Sequence, residues 1–211
     1  MKEILQRLET QLALQFPNIL PTLNPPATEE QIVSFETAVK QNLPEDIKAA
    51  YRWHNGCRRL PGEISGPMPN EAYFLINKGR WLSLDEMLEQ WHLQNEIAIG
   101  DDYFFTQEDD PDAWSQLVIR PWCWPLAVWL PLAQEYHDAH IYIDLLPGPK
   151  GRVGQLVYKA LDGALTLIAP SVTDYLSVFT QALERKALHY DREHQQWLGL
   201  HEVLQKAKAV M

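Results

Sequence analysis

Four side chains in one short stretch could bind a metal ion: Glu135, His137, His140 and Asp144. Imidazole nitrogens and carboxylate oxygens are common zinc ligands, and a site needs three or four of them converging on one point. If residues 141–145 form a strand, alternation places His140 and Asp144 on the same face, which we expect to be exposed. A polar turn followed by an ordinary strand face explains these residues more simply. We therefore predict no metal site, and keep a metal-dependent hydrolase only as an alternative.

A nucleophile and a base also lie close together, at Cys57 and His54. A histidine beside a cysteine can deprotonate the thiol and activate it for covalent catalysis. A helix-end histidine and a small buried thiol near a turn would give the same pair. The sequence has no G-x-S-x-G motif or other recognisable triad signature. We therefore predict no catalytic residue, no cofactor and no enzymatic activity.

A partner-binding surface is the stronger candidate, because the charge of the chain is concentrated in one segment. Between Trp81 and Ile119 there are ten carboxylates and no lysine or arginine. The rest of the chain is balanced, so the net charge of −10 belongs to this segment. Direct binding to nucleic acid needs a basic surface and is disfavoured. A basic protein partner would be steered towards the acidic segment.

Within this segment, the sequence DDYFFTQEDDPD at 101–112 places aromatic residues between two acidic clusters. Apolar anchors ringed by carboxylates suit a basic, nuclease-like partner, although a solvated loop can have the same composition. Trp122 lies in an apolar stretch where core packing is the ordinary role, but an exposed tryptophan is a typical interface anchor. The predicted partner-binding residues are Asp101, Asp102, Tyr103, Phe105, Glu108, Asp109, Asp110, Asp112 and Trp122.

The helices that position these residues follow from caps and periodicity. Residues 1–16 predict a helix, which a proline-rich connector ends. Capping boxes at 28–31 and 83–86 open two more helices. The stretch LPEDIKAAYRWHNG, residues 43–56, predicts a short helix that begins at its proline and ends at the left-handed Asn-Gly pair.

Short apolar segments follow from residue 98 onwards. Their patterns predict strands at 127–132, 141–145, 154–158 and 164–168. Ser171 caps a long helix, and a last helix spans roughly 191–209. Helices, then antiparallel strands, then helices indicate an α+β domain.

Length and composition limit the number of domains, the possibility of a membrane span and the cellular compartment. A chain of 211 residues with 46% hydrophobic residues fits one globular domain, and no apolar run reaches the length of a membrane span. The charged N-terminus does not resemble a signal peptide, and the two cysteines, Cys57 and Cys123, fit a reducing compartment. We expect a cytoplasmic protein that does not bind membranes.

Four stretches resemble the SUKH superfamily, which includes the Smi/Knr-like cell-wall-synthesis regulators and many bacterial immunity proteins. The stretch LPEDIKAAYRWHNG is similar to its opening motif, and VWLPLA at 128–133 to its tryptophan-containing strand. IYIDLLPGPKGRVGQLV at 141–157 resembles its central hairpin, and IAPSVTDYLSVFTQAL at 168–183 its closing strand and helix. The chain departs from the family pattern at 134–139, where members often carry a glycine-containing turn.

This resemblance implies a curved antiparallel sheet packed with helices over 28–188. Residues 1–27 would then add an N-terminal helix and connector, and 189–211 a C-terminal helix that packs on the same domain. Family members are generally binding modules without catalysis, and bacterial ones commonly neutralise a cognate toxin, often a nuclease. We therefore expect a cytoplasmic immunity protein that blocks a toxin, as a monomer or weak homodimer. The alternative is a regulator or scaffold in cell-wall or envelope synthesis.

Overall fold

The computed structural model describes residues 1–58, 79–100, 118–119, 128–136, 139–159, 165–191 and 196–208. The described α-helices are α1 (Lys2–Gln15), α2 (Glu29–Val39), α3 (Glu45–Trp53), α4 (Leu84–Gly100), α5 (Val172–Glu184) and α6 (Leu200–Lys208). The described strands are β1 (Arg80–Trp81), β2 (Trp129–Tyr136), β3 (Ala139–Asp144), β4 (Gln155–Lys159), β5 (Leu165–Ala169), β6 (His189–Asp191) and β7 (Gln196–Leu198). Helices packed with an antiparallel sheet confirm the α+β prediction.

Strands β1 to β5 form one open, curved sheet in chain order, with every neighbouring pair antiparallel. The register of β2 against β3 shifts near Pro131 and again near Gln134. A proline cannot donate to the ladder, and irregularities of this kind bend a strand and increase its twist. Strands β6 and β7 form a separate hairpin. None of the helices described here is long and apolar enough to cross a membrane.

The main core lies between one face of the sheet and the helices. Side chains alternate along β3, so Ile141 and Ile143 join the core with Leu130 and Leu156 from the neighbouring strands. On the opposite face, Trp129, Tyr142 and Val157 form a second, smaller buried cluster. Both faces of the sheet are therefore buried at its centre.

Helix α5 is the central helix of the core. Its side chains Tyr175, Phe179 and Leu183 are fully buried, and α1 and α6 both pack against it. The Asp174 backbone N–H donates to the Ser171 hydroxyl, which confirms the predicted cap. The Asp46 carboxylate, in the first turn of α3, also accepts hydrogen bonds from the Thr173 backbone N–H at 3.3 Å and hydroxyl at 3.2 Å. The start of α3 thereby helps to cap α5.

The local helix signals in the sequence are confirmed. Thr28 and Gln31 form a complete capping box at α2, and Ser83 and Glu86 exchange the same pair of bonds at α4. The two ends of α3 differ from the prediction. Pro44 precedes the first turn and does not open it, and the helix ends at Trp53 with His54 extended, so that only Gly56 of the Asn-Gly pair is left-handed.

The predicted helix at 191–209 is wrong in its first half. Residues 189–191 and 196–198 pair as β6 and β7, and the helix begins only at Leu200. Gly199, with φ +84°, turns the chain between β7 and α6. Strand β2 also begins two residues later than predicted and continues to Tyr136, and β1 was not predicted.

The end of α3 is a crossing point of three segments. Gly56 has φ +72°, and a Cβ built on it would lie 2.5 Å from the carbonyl carbon of Leu82 and 2.6 Å from the backbone nitrogen of Ser83. The Cys57 N–H donates to the Trp81 carbonyl, and the Asn24 N–H donates to the Gly56 carbonyl. Only glycine satisfies both the left-handed backbone and this close approach.

Gly56→Ala should lower the free energy of unfolding by about 2–5 kcal/mol, because it adds left-handed strain to a backbone clash. Gly154→Ala is the matched control: its φ is +88°, but the new Cβ would meet only the Pro44 ring, at 2.8 Å. It should cost about 1–2 kcal/mol. Urea unfolding of both variants gives the comparison, and equal losses would contradict a special role for the Gly56 contact.

Candidate partner-binding surface

The predicted partner-binding residues lie outside the described part of the chain. These are Asp101, Asp102, Tyr103, Phe105, Glu108, Asp109, Asp110, Asp112 and Trp122. The structure does describe what flanks the segment 101–117: α4 ends at Gly100, and 118–119 lies against the sheet. The described residues therefore show which parts of the fold precede and follow residues 101–117.

The far end of this segment is attached to the turn between β3 and β4. The Val118 carbonyl accepts hydrogen bonds from the Gly148 N–H and from the Gln155 side-chain amide, both at 2.9 Å. A Cβ on Gly151 would lie 2.3 Å from the same carbonyl oxygen, so the turn leaves room only for glycine. Ile119 packs against the second apolar cluster of the sheet.

Asp144 organises this attachment from inside the protein. Its carboxylate is fully buried and accepts hydrogen bonds from the Trp129 indole N–H at 3.1 Å, the Leu146 N–H at 3.0 Å and the Gln155 amide at 2.8 Å. Gln155 holds Val118 with the same amide nitrogen. A buried charge needs such partners, because leaving it unsatisfied is costly. The carboxylate thus links β2, the β3–β4 turn and the returning end of the acidic segment.

The face of β3 that carries two of the metal candidates is buried, whereas the sequence predicted an exposed face. His140 and Asp144 share a face of β3, as predicted, but they are 3% and 0% exposed and not on an open surface. The His140 ring packs beside Tyr142, with ring centroids 5.7 Å apart. Among the described residues, no three His, Cys, Asp or Glu side chains converge as a metal site would require. The side chains of Glu135 and His137 lie outside the described residues.

The geometry of Cys57 and His54 does not suit nucleophilic catalysis. Cys57 is fully buried, and burial raises the pKa of its thiol to about 12. The thiolate, which is the reactive form, is therefore scarce near neutral pH. The Nδ1 atom of His54 lies 2.7 Å from the Asn24 carbonyl oxygen, to which its N–H donates. The two side chains have structural roles where the chain segments meet after α3: His54 binds the connector, and Cys57 is part of the buried core.

Helix α4 is the first part of the acidic segment, and it carries four carboxylates without any lysine or arginine. Glu86 is turned inwards, and its carboxylate pairs with Arg80 at 2.9 Å. Burial alone would raise the pKa of Glu86, but hydrogen bonds from Arg80 and Ser83 hold it below its usual value. Asp85, Glu89 and Glu96 are exposed, and no described side chain forms an ion pair with them.

The sequence prediction missed these α4 residues as site candidates. It counted Asp85, Glu89 and Glu96 in the acidic segment, but it assigned the surface only to 101–112 and Trp122. The available signal was their spacing: residues four and seven apart lie along one side of a helix. The apolar residues Leu84, Met87, Leu88 and Trp91, which recur at helical spacing, already indicated which side of α4 faces the core.

Comparison with known proteins places this arrangement in context. Residues 26–178 match the SMI1 / KNR4 family (SUKH-1), a range that includes α2, α3, α4 and the five-stranded sheet. A relative in Schizosaccharomyces pombe, "Cell wall biosynthesis/cell cycle regulator smi1", is 26% identical over 179 residues. The alignment covers 82% of this chain and 32% of the relative, so the chain spans about a third of that protein's length.

Asp144→Ala should destabilise the protein by about 3–5 kcal/mol, because it leaves several buried donors without an acceptor. Glu89→Ala removes a carboxylate from an exposed helix position and should change stability by less than ~0.5 kcal/mol. Chemical denaturation monitored by tryptophan fluorescence measures both. A small loss for Asp144→Ala would show that the buried carboxylate is dispensable.

Cys57 should be nearly unreactive in the folded protein. In a Cys123→Ser variant, where Cys57 is the only thiol, iodoacetamide should react about a thousandfold more slowly before unfolding than after it, because the thiol is buried and its pKa is raised. The raised pKa favours the neutral thiol, so any native reaction should still accelerate beyond about pH 9, where an ordinary cysteine levels off. Rapid native alkylation near pH 7 would refute this assignment.

Proposed function

Because the chain belongs to the SMI1/KNR4 (SUKH-1) family, we propose that it is a non-catalytic protein-binding module and acts as a cytoplasmic immunity protein. In this role it binds a cognate toxin and blocks its active site by covering it. The family match supports the module, because it includes the whole five-stranded sheet and the helices α2 to α4. We propose a basic toxin, for example a nuclease, because the negative charge of this chain is concentrated in one segment.

The observation that carries the proposal is the segregation of charge. Ten carboxylates and no cation lie between Trp81 and Ile119, while the rest of the chain is balanced. Three of these carboxylates project from the described part of α4, and the sequence continues directly into 101–112. Enzymes that cut nucleic acids need basic surfaces to bind phosphates. An acidic inhibitor surface competes for those same cations and accelerates the encounter.

The chemistry of the described side chains supports a binding role over a catalytic one. The most suggestive nucleophile, Cys57, is buried and held as a thiol. The carboxylate with the densest hydrogen bonding, Asp144, is fully buried and occupied by structural donors. Neither group can reach a substrate in solution. A surface that acts by shape and charge needs no such group.

The name of the Schizosaccharomyces pombe relative favours a second candidate. That protein is described as a cell wall biosynthesis and cell cycle regulator. A regulator or scaffold in cell-wall or envelope synthesis would use the same kind of binding surface, without any toxin. The two candidates differ in whether a toxic partner is encoded beside this protein.

Rescue from toxicity tests the proposal. Expression of the reading frame next to this gene should arrest growth, and co-expression of this protein should restore it, because neutralisation needs only a bound complex. A neighbour that is not toxic, or toxicity that persists although both proteins are made, would count against the immunity role and favour the regulator.

Two variants separate binding from catalysis in the same assay. Cys57→Ser should leave rescue intact, since a buried thiol contributes nothing to a surface. Reversing Asp109 and Asp110 to lysine should slow association with the toxin more than it speeds dissociation. Loss of rescue in a folded, toxin-binding Cys57→Ser variant would revive an enzymatic mechanism.

A further inference from the structure

Helix α4 presents one continuous outward stripe. Asp85, Glu89, His92, Leu93 and Glu96 are all exposed and follow one another at spacings of three or four residues or as direct neighbours. Residues at these spacings lie on the same side of an α-helix. We call these five residues the α4 face. It carries three carboxylates, a histidine and a single large apolar side chain.

The opposite side of α4 is fixed firmly to the domain. Leu84 and Met87 are 2% and 0% exposed, and the helix packs against α2 and β2. Its first N–H group, at Leu84, donates to the Asn55 side chain at 2.9 Å. A rigid, well-capped helix holds its outward side chains in fixed relative positions. Such a helix can present a surface to a partner without much loss of conformational entropy.

Of the charges of the α4 face, only Asp85 lies in the first turn, where the helix dipole favours a carboxylate. Asp85 and Glu89 are like charges four residues apart, an arrangement that destabilises an isolated helix. The last turn carries no basic residue to complement the negative end of the helix dipole. By contrast, Glu29 and Glu36 of the neighbouring α2 pair with Arg52 and Lys48. The exposed carboxylates of α4 have no such partner among the described residues.

Leu93 supplies the apolar part of the surface. It is 48% exposed, and it lies on the stripe between Glu89 and Glu96. An apolar side chain flanked by carboxylates can seat the apolar stem of an arginine, or a neighbouring aliphatic residue, while the carboxylates bind the cations. The face therefore has charge complementarity to one kind of occupant, a basic protein surface.

We propose that the α4 face docks an arginine-rich surface of the partner, with an aliphatic side chain of that partner against Leu93. This inference rests on the proposed function for the basic character of the partner, and it assigns the contact to a described element.

The test uses full-length protein and two probes: a synthetic helical peptide with four arginines around one leucine, and the purified product of the neighbouring gene. The α4 variant combines Glu89→Gln and Glu96→Gln. The control variant combines Glu3→Gln and Glu202→Gln, which removes the same charge from exposed positions on α1 and α6. Circular dichroism confirms that both remain folded. Association and dissociation rates are then measured at ~0.01 M and ~0.15 M salt.

We expect the α4 variant to bind the peptide at least ~10-fold more weakly at low salt, mainly through slower association, and to lose part of the salt dependence. The control variant should stay within ~2-fold of the parent. Leu93→Ser should speed dissociation and leave the salt dependence unchanged, because it removes an apolar contact and no charge.

Equal weakening by the α4 and control variants would overturn the inference, since net charge alone would then explain binding. So would a parent protein that fails to bind the peptide at low salt. A neighbouring toxin bound equally well by parent and α4 variant would overturn the inference but leave the immunity role standing. Loss of peptide binding confined to the α4 variant, with a neighbour that is neither bound nor toxic, would support the docking face and reject the immunity role.

Discussion

The close approach of Gly56 to the backbone of Leu82 and Ser83 is the constraint on which the helical layer depends. At this point α3 ends, the proline-rich connector passes, and α4 begins. The Asn55 side chain accepts from the first N–H of α4, and its backbone N–H donates to the Pro25 carbonyl. The buried Tyr51 hydroxyl donates to the Leu82 carbonyl. One turn thereby satisfies backbone groups of three segments that water cannot reach. It also sets the direction in which α4 leaves the core, and so where its acidic side lies.

A second polar centre performs a similar task on the other side of the sheet. Asp144 could have been an apolar residue if stability alone mattered, because burying a carboxylate has a large desolvation cost. Its hydrogen bonds to Trp129, Leu146 and Gln155 instead give the β3–β4 turn a single geometry. That turn holds the Val118 carbonyl through Gly148 and Gln155. The described residues on either side of 101–117 thus belong to a capped helix and to a stretch that a hydrogen-bonded turn holds, although the two centres are far apart in sequence.

Features that depend on near neighbours in the chain could be predicted from the sequence. The capping boxes at 28–31 and 83–86, the cap at Ser171 and the left-handed Gly56 each involve residues within a few positions of one another. The failures involve distant partners. Residues 191–198 have a pattern that also fits a helix, but strands β6 and β7 pair with each other instead. The burial of His140 depends on what covers the second face of the sheet, which no periodicity in β3 reveals.

The same distinction applies to the candidate site. Composition alone located an excess of negative charge, because charge can be counted along the chain, and it identified residues 101–112 as the most acidic part. Composition did not reveal which carboxylates already form ion pairs within the protein. The structure supplies this for the described residues: Glu86 is paired with Arg80, whereas Asp85, Glu89 and Glu96 are exposed without an ion pair. Knowing which charges are already engaged changes the size and the position of the surface that a partner would meet.

Ion pairs elsewhere make that surface more distinct. Three cations of the helical layer are engaged with nearby carboxylates, in the pairs Arg7–Glu184, Lys48–Glu36, Arg52–Glu29 and Arg52–Glu45. The exposed pairs among these contribute little to stability, because solvent and salt screen them. They do cancel one another's field at a distance. Asp85, Glu89 and Glu96 of α4 have no such partner among the described residues, so their negative field is not cancelled locally. The basic partner that we propose would be attracted by that field, which would raise the association rate even where the final contacts add modest affinity.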